Sequence, residues 1–212
     1  MTKLNVTNGD YFNSYLIKKL GCDAVPFREA MMDGEAVLDI YSEDFVRVRA
    51  NILNVTPEVY RANAIAFDTL KNNEYSELCL YFGKDTFCQM NLVTLLAYLE
   101  QIEYAGRVFV NYIDDETFEV VEANIEANLG LYEGIYKSIF VDKQMPSECG
   151  VLDFDAIEKY FDYHSDEGKL ACIVRENSEK DDMAIICALI ENSKEYGLSD
   201  IQAKKLVEKY KV

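Results

Sequence analysis

Two apolar runs of strand length, separated by one long helical pattern, constrain the fold of this chain more than any other feature of its sequence. Residues 76–82 read SELCLYF, a dense apolar run typical of a strand buried on both faces of a parallel sheet. Thr86-x-x-Gln89 then has the form of a helix capping box, and a long apolar helix is predicted as far as residue 104. A second strand is predicted over residues 107–113, RVFVNYI. Strands that alternate with helices of this length predict βαβ units in a mostly parallel sheet.

The beginning of the chain shows the same order of strand, turn and helix. Residues 3–7 read as a strand, and Asn8-Gly9-Asp10 as a turn in which Asp10 is a natural helix N-cap. Helical spacing of apolar residues follows, and Gly21 suits the left-handed residue at the end of that helix. Further elements are predicted as a strand at residues 23–27, a helix at 45–53, a helix from Thr56-Pro57 to about residue 71, and a short strand at 117–121.

From about residue 128 the sequence predicts helices alone. They cover residues 129–140, 154–163, 168–174 and 182–194, and a last one opens at the capping box Ser199-x-x-Gln202. We therefore predict an α/β domain over residues 1–127, with a mostly parallel open sheet flanked by helices. A helical C-terminal subdomain over residues 128–212 is predicted to pack on it.

The charge balance of the chain bears on its partners. Its 21 Lys and Arg residues face 38 Asp and Glu residues, which gives a net charge of −17 at pH 7. A chain this negative repels phosphate backbones and anionic membrane surfaces, so we expect neither nucleic acid nor membrane as a partner. The first residues lack the apolar core of a secretion signal, and the longest clean apolar run, residues 183–190, is too short to span a bilayer. We therefore expect a cytoplasmic protein, whose oligomeric state the sequence leaves open.

Cysteine and histidine are the residue types that most often mark a metal or nucleophilic site. The six cysteines include no C-x-x-C pair and the chain has a single histidine, so no zinc-ligand spacing is present and reduced thiols are predicted. Cys88 is the best placed of the cysteines for a nucleophile, because it falls in the first turn of a predicted helix, where a thiolate is favoured. His164 falls near a predicted helix end, where a positively charged imidazole is favoured, and this structural role is preferred over catalysis.

Ligands of an open parallel sheet bind outside the carboxyl ends of its strands, where loops and helix N-termini meet. The polar and glycine residues that follow the predicted strands are Asn8, Gly9, Asp10, Arg28, Glu29, Asp33, Gly34, Gly83, Lys84, Asp85, Gln89, Asn111, Asp114 and Asp115. This set could hold a sugar, a nucleotide or a magnesium ion, or supply an acid–base pair. Each member also has a structural explanation as a turn residue, a helix cap or a partner in a surface ion pair. The sequence has no Walker loop, no G-x-G-x-x-G fingerprint and no G-x-S-x-G elbow, and it identifies no cofactor.

Four short motifs follow one another along the chain. They are Leu4-x-Val6-x-Asn8-Gly9-Asp10, Phe27-Arg28-Glu29-Ala30-x-x-Asp33-Gly34, Leu78-x-Leu80-Tyr81-Phe82-Gly83-Lys84-Asp85-x-Phe87-x-Gln89-x-Asn91-Leu92 and Gly197-Leu198-Ser199-x-x-Gln202. In this order they resemble the motifs of the bacterial domain of unknown function 1835 family, which has no established activity. Phe27 and Tyr81 stand where tryptophan is typical of that family, and Lys84 stands where a histidine often precedes the aspartate. The resemblance implies the same fold, and it implies that Asp10, Arg28, Glu29, Asp85 and Gln89 line one shared pocket, to which we add Asn8.

Three classes of function are open. The first is a small-molecule binding protein or enzyme, for a nucleotide or another anionic metabolite, in which Arg28 orients the anionic group and the carboxylates hold metal or move protons. The second is a non-catalytic regulatory or protein-interaction module, which the Gly-Leu-Ser turn before the last predicted helix suggests. That helix carries four lysines but no arginine within an acidic chain, so a protein partner is preferred over DNA. The third is a homo-oligomer that uses exposed Tyr and Phe side chains as contacts.

Overall fold

The computed structural model describes residues 2–72, 74–114 and 116–211, and a five-stranded sheet lies at its centre. Its strands are β1 (Lys3–Asn8), β2 (Ala24–Phe27), β3 (Glu77–Phe82), β4 (Arg107–Ile113) and β5 (Val120–Glu126). They lie in the order β2-β1-β3-β4-β5; the first four are parallel, and β5 pairs antiparallel with β4. The structure therefore confirms the predicted α/β fold with a mostly parallel sheet.

The strand predicted at residues 117–121 begins later than its apolar pattern suggested. The Oδ1 atom of Asp114 accepts hydrogen bonds from the backbone N–H of Thr117, at 2.8 Å, and from its hydroxyl, at 3.0 Å. Phe118 then takes a left-handed backbone conformation with φ 62°. These contacts close a tight turn after β4, so β5 begins only at Val120. Asp115 lies outside the described residues.

Helices alternate with the strands as the sequence predicts, except that one predicted helix is interrupted. They are α1 (Asp10–Tyr15), continued by a π-helical turn over Leu16–Leu20, then α2 (Glu43–Ile52), α3 (Pro57–Asn63), α4 (Ile65–Leu70) and α5 (Thr86–Gln101). The single helix predicted from Pro57 to about residue 71 is in fact two helices. Ala64 has a ψ of 43°, outside the helical range, and this turn directs Phe67 and Leu70 into the core. Burial of those two apolar side chains thus overrides the continuous helical pattern.

Two of the predicted helix caps are wrong, because the side chains make other contacts. Gly9 is the N-cap of α1, and Asp10 is its first helical residue. Asp85 is the N-cap of α5, where its carboxylate accepts a hydrogen bond from Cys88 N at 2.9 Å, so Thr86-x-x-Gln89 is not a capping box. The helix start at Thr56-Pro57, the capping box at Ser199 and the left-handed Gly21 are confirmed. The side chains of Thr56, Asp153 and Asp181 cap the helices that follow them.

The two faces of the sheet are covered by different helices. Leu80 and Tyr112 belong to the main apolar core, which includes most of α5. Their neighbours along the strands, Tyr81 and Ile113, lie on the opposite face, where they pack with Phe12 of α1. The chain passes from β1 to β2 on one side of β1 and returns to β3 on the other. The carboxyl ends of β1 and β3 therefore form a topological switch point, where ligands of such sheets bind.

Helices alone follow β5 within the described residues. They are α6 (Tyr132–Tyr136), continued by a π-helical turn over Lys137–Val141, then α7 (Phe154–His164), α8 (Lys169–Glu176), α9 (Asp182–Asn192) and α10 (Asp200–Tyr210). The first two pack on α5, whereas α8 to α10 share a second apolar cluster that also takes in Met32. The division of the chain at residue 128 stays a prediction. Among the residues described, no helix combines the length and the apolar character needed to cross a bilayer.

Candidate functional site

Two adjoining cavities lie at the carboxyl edge of the sheet. The first, here called the Arg28 pocket, has a volume of about 350 Å³ and is lined by Asn8, Gly9, Asp10, Phe27, Arg28, Glu29, Ala30, Leu53 and Phe87. The second, here called the Asp85 pocket, has a volume of about 280 Å³ and is lined by Asn8, Tyr11, Phe12, Asp85, Phe87, Cys88, Phe118 and Gly197. Asn8 and Phe87 belong to both walls. The structure thus places five of the six candidate residues around these two cavities, and Gln89 elsewhere.

Arg28 and Asp10 form an ion pair at the wall of the Arg28 pocket. The guanidinium donates from Nη2 to Asp10 Oδ1 at 2.6 Å and from Nε to Oδ2 at 2.9 Å. The hydrogen bond to this carboxylate raises the pKa of Arg28, so it stays charged. The side chain of Asp10 is 62% exposed and that of Arg28 31% exposed. An exposed ion pair contributes at most about 1 kcal/mol, so an anionic ligand can compete with Asp10 for the guanidinium.

Glu29 turns its carboxylate away from solvent, into a buried ion pair with Arg49. Its Oε1 accepts hydrogen bonds from Arg49 Nε at 3.0 Å and Nη2 at 2.7 Å, and the Tyr60 hydroxyl donates to Oε2. Burial and the negative charge of Glu29 raise the pKa of Tyr60 far above its ordinary value, so the phenol remains a donor. Arg49 also donates to the carbonyl oxygens of Ala30 and Asp33, at 2.8 and 2.7 Å. Glu29 therefore fixes the segment that follows β2.

Asn91, which the sequence reasoning did not select as a site residue, orients Asn8 between the two pockets. Its Nδ2 donates to Asn8 Oδ1 at 2.9 Å and to Glu29 O at 2.6 Å, while its Oδ1 accepts from Met31 N at 3.0 Å. The Nδ2 of Asn8 in turn lies 2.9 Å from Cys88 Sγ. This fully satisfied, buried amide ties β1, α5 and the segment after β2 into one rigid wall. A polar residue inside the apolar pattern of α5 was the signal that could have identified it.

Asp85 and Gln89 lie close together at the start of α5, but only Asp85 lines a cavity. Asp85 caps the helix and lies on the wall of the Asp85 pocket, where Gly197 approaches it closely. Gln89 is fully buried, and its Nε2 donates to Gly83 O at 2.7 Å while its Oε1 accepts from Asp153 N at 2.9 Å. Gln89 therefore joins the end of β3 to the start of α7 and does not line either cavity.

The remaining candidates at the strand ends lie apart from both pockets. Lys84 pairs with Glu122 and lies over the ring of Tyr112. Asn111 accepts a hydrogen bond from Asn124 N at 3.0 Å, and Asp114 holds the turn before β5. Those turn hydrogen bonds lower the pKa of Asp114. Asp33 and Gly34 line another cavity, beside α10.

Cys88 and His164 lie in the walls of different cavities. Cys88 is buried in the Asp85 pocket, whereas the Nε2 of His164 lies 3.1 Å from Met32 O at the cavity beside α10. Partial desolvation of the ring and the charge of Lys143 lower the pKa of His164. Both effects oppose the positively charged imidazole that is expected at this helix end, which stays a prediction.

A scan against protein-family models, a search of curated proteins and a search of solved structures each found no match. Among the described residues, no group of three or more His, Cys, Asp and Glu side chains is arranged to hold a metal ion. The two pockets offer the guanidinium of Arg28, the side-chain amide of Asn8 and the carboxylates of Asp10 and Asp85 on a wall that also carries the ring of Phe87. Such an arrangement can bind a ligand that has one anionic end and one flat or apolar part.

Proposed function

We propose that this protein binds a small anionic metabolite, such as a nucleotide, in the Arg28 pocket at the carboxyl edge of β1 and β2. The observation that carries the proposal is the exposed pair of Arg28 and Asp10 at the wall of a cavity that is otherwise largely apolar. The anionic group of the ligand replaces Asp10 on the guanidinium, which can hold a carboxylate or phosphate through two parallel hydrogen bonds. The displaced Asp10 remains in solvent, where its charge costs little.

The shape of the pocket supports a ligand larger than an inorganic ion. Its volume of about 350 Å³ lies within the range of small-molecule sites. Phe87 offers aromatic surface, and Asn8 is held in one orientation by Asn91. A planar ring can pack on the side chain of Phe87 while its polar edge bonds to the amide of Asn8. The adjoining Asp85 pocket gives room for a further substituent on the other side of Asn8.

Two broader assignments belong with this proposal. Membership of the domain of unknown function 1835 family is supported by the position of its motif residues, since Asn8 ends a parallel strand and Arg28 and Asp85 follow parallel strands. A cytoplasmic location is supported by the six cysteines, none of which is joined in a disulfide among the described residues. The net charge of −17 continues to favour a small ligand over nucleic acid.

The test is a thermal-shift screen of the protein against nucleoside monophosphates, sugar phosphates and dicarboxylates, followed by calorimetric titration of the best compound. A ligand present at about 100 times its dissociation constant stabilises the protein by roughly 2.7 kcal/mol, which such a screen detects. We expect Arg28→Ala to weaken that ligand at least about tenfold, which corresponds to about 1.4 kcal/mol of binding free energy.

The matched control is Arg47→Ala, which removes an exposed arginine paired with Asp44 on α2, away from the pocket. This variant should bind the ligand as the unchanged protein does. Equal loss of binding in both variants, or no stabilisation by any anionic compound, would show that the Arg28 pocket is not the site.

A protein-interaction module is the second candidate, and one observation favours it. The outer surface of α9 shows Met183, 65% exposed, within an uncharged stretch, and Ile201 of α10 is 69% exposed. Exposed apolar side chains of this size are typical of contact surfaces. Static light scattering decides whether the protein associates with itself, and a monomer at all concentrations would argue against self-association through this surface.

A further inference from the structure

A third cavity lies between the turn after β2 and the last helix, and it is separate from the proposed metabolite site. This cavity, here called the α10 cleft, has a volume of about 280 Å³. Its polar lining residues are Asp33, Tyr163, His164, Lys205, Lys209 and Tyr210. Its wall shares no residue with the Arg28 pocket. The Asp33-Gly34 turn, which the sequence analysis selected as a candidate, lies here.

Lysine, aspartate and tyrosine form two similar hydrogen-bonded sets, and the lysine and tyrosine of each set line this cleft. In the first, Asp33 Oδ1 accepts from the Tyr163 hydroxyl at 2.8 Å and Asp33 Oδ2 accepts from Lys205 Nζ at 3.2 Å. In the second, Asp166 Oδ1 accepts from the Tyr210 hydroxyl at 2.8 Å and from Lys209 Nζ at 3.0 Å. Each carboxylate therefore accepts hydrogen bonds from a tyrosine hydroxyl as well as from a lysine ammonium group.

The two lysines keep hydrogen-bonding capacity that a ligand can use. An ammonium group has three N–H donors. The bond to Asp33 takes one of those on Lys205, and the bonds to Asp166 and to the Tyr210 hydroxyl take two of those on Lys209. Lys205 and Lys209 are 51% and 57% exposed, so solvent reaches both. They stand four residues apart on one face of α10, where like charges repel each other, and each is paired with one carboxylate, Asp33 or Asp166.

A third cation adds to the positive charge beside the cleft. Arg175 of α8 lies 5.1 Å from the centre of the Tyr210 ring and donates to Asp166 O at 2.6 Å. Three cations therefore stand against the carboxylates of Asp33 and Asp166, in a chain whose net charge is −17. Local positive charge in so acidic a protein selects for a small anion that can enter the cleft.

We propose that the α10 cleft binds an oxyanion, the phosphate or carboxylate group of a small metabolite, between Lys205 Nζ and Lys209 Nζ. The remaining ammonium donors of both lysines donate hydrogen bonds to the oxyanion. The side chains of Leu206 and Ile52 form the apolar part of the wall. The imidazole of His164 lines the same space. An oxyanion held there favours the protonated imidazole, which it can reach by electrostatic attraction.

The chain offers a direct probe of this site, because His164 is its single histidine. The ring resonances in a proton–carbon NMR spectrum therefore belong to His164 alone, and their shift with pH gives the midpoint of its titration. It is measured at one ionic strength in sodium chloride, in sodium sulfate and in sodium acetate. Sulfate stands in for a phosphate group and acetate for a carboxylate. We expect at least one of these oxyanions to raise the midpoint by about half a pH unit over chloride and to do so saturably.

Three variants locate the effect. Lys205→Gln combined with Lys209→Gln should abolish the difference between the oxyanion and chloride, whereas Lys205→Arg should retain it. Lys204→Gln is the matched control, since Lys204 lies on the same helix, is 69% exposed and pairs with Glu208. The same midpoint in all three salts overturns the proposal, even if the double variant fails to fold. A difference that persists in a folded double variant overturns it as well.

Discussion

Glu29 and Arg49 lie with no part of their side chains exposed to solvent, which is unusual for two charged residues. The pair is tolerated because the carboxylate also accepts from Ala30 N and the Tyr60 hydroxyl, while the guanidinium donates to three carbonyl oxygens. Buried charges are costly when unpaired, and this network leaves each charge opposed. Its function is to hold the segment after β2 in the position that shapes both the Arg28 pocket and the α10 cleft.

Removal of one partner of this pair should be strongly destabilising. Arg49→Met leaves the Glu29 carboxylate buried without its counter-charge, and we expect a loss of about 3–5 kcal/mol of unfolding free energy. Urea denaturation followed by circular dichroism measures that loss. The double variant Glu29→Leu, Arg49→Met removes both charges and should lose less than the single variant. A single variant that loses under about 1 kcal/mol would contradict the buried network.

At the scale of the elements, Gly197 links the C-terminal helices to the start of α5. It has a φ of 66°, and a Cβ added to it would lie 2.1 Å from Asp85 Oδ1 and 3.1 Å from Phe87 Cβ. Glycine is therefore needed for two reasons at this position, the left-handed backbone and the close approach. The same contact places Asp85 at the junction of the sheet edge with the connection between α9 and α10.

A comparison of two glycines separates these reasons. Gly21 has a similar φ of 64°, but a Cβ added there meets nothing within 4 Å. We expect Gly21→Ala to cost about 1 kcal/mol from backbone strain alone. Gly197→Ala should cost at least about 1 kcal/mol more, because it also displaces the Asp85 cap of α5. Equal changes in the urea midpoint of the two variants would mean that the close approach of Gly197 to Asp85 does not contribute to the free energy of unfolding.

The sequence predicted the elements better than it predicted the contacts of its polar residues. The strands at residues 76–82 and 107–113 were recognisable because burial on both faces demands continuous apolar runs. The role of Glu29 was not recognisable, since its partner Arg49 comes twenty positions later and shares no motif with it. Gln89 matched a capping box, yet its amide bonds to Gly83 O and to Asp153 N, 64 positions away. Polar partners from distant parts of the chain leave no periodic signal.

At the scale of the whole molecule, the excess of negative charge acts on every part of the fold. Most of the ion pairs among the described residues are exposed at the surface, as the pairs of Lys194 with Glu116 and Lys204 with Glu208 illustrate. With 38 acidic and 21 basic residues, many carboxylates have no cation available to them. Repulsion among these carboxylates opposes the compact state.

Salt should therefore stabilise this protein. Raising sodium chloride from about 20 mM to about 500 mM shortens the screening length from roughly 20 Å to roughly 4 Å. We expect the melting temperature to rise by about 3–6 °C, which corresponds to about 1–2 kcal/mol for a chain of this size. Thermal unfolding followed by circular dichroism measures it, with potassium chloride as the control for specific ion binding. A melting temperature that falls with salt would mean that attractive surface pairs outweigh the net repulsion.

The position of Met32 has a consequence for the order in which this protein folds during its synthesis. It follows β2 closely along the chain, yet it packs in the apolar cluster of α8 to α10, and Asp33 next to it bonds to Lys205, 172 positions later. A ribosome releases these partners long after β2, so the final contacts of the turn after β2 form only once α10 has been synthesised. Early and late parts of the chain thus complete their folding at one moment, and a nascent chain stalled before α10 would display Met32 to chaperones.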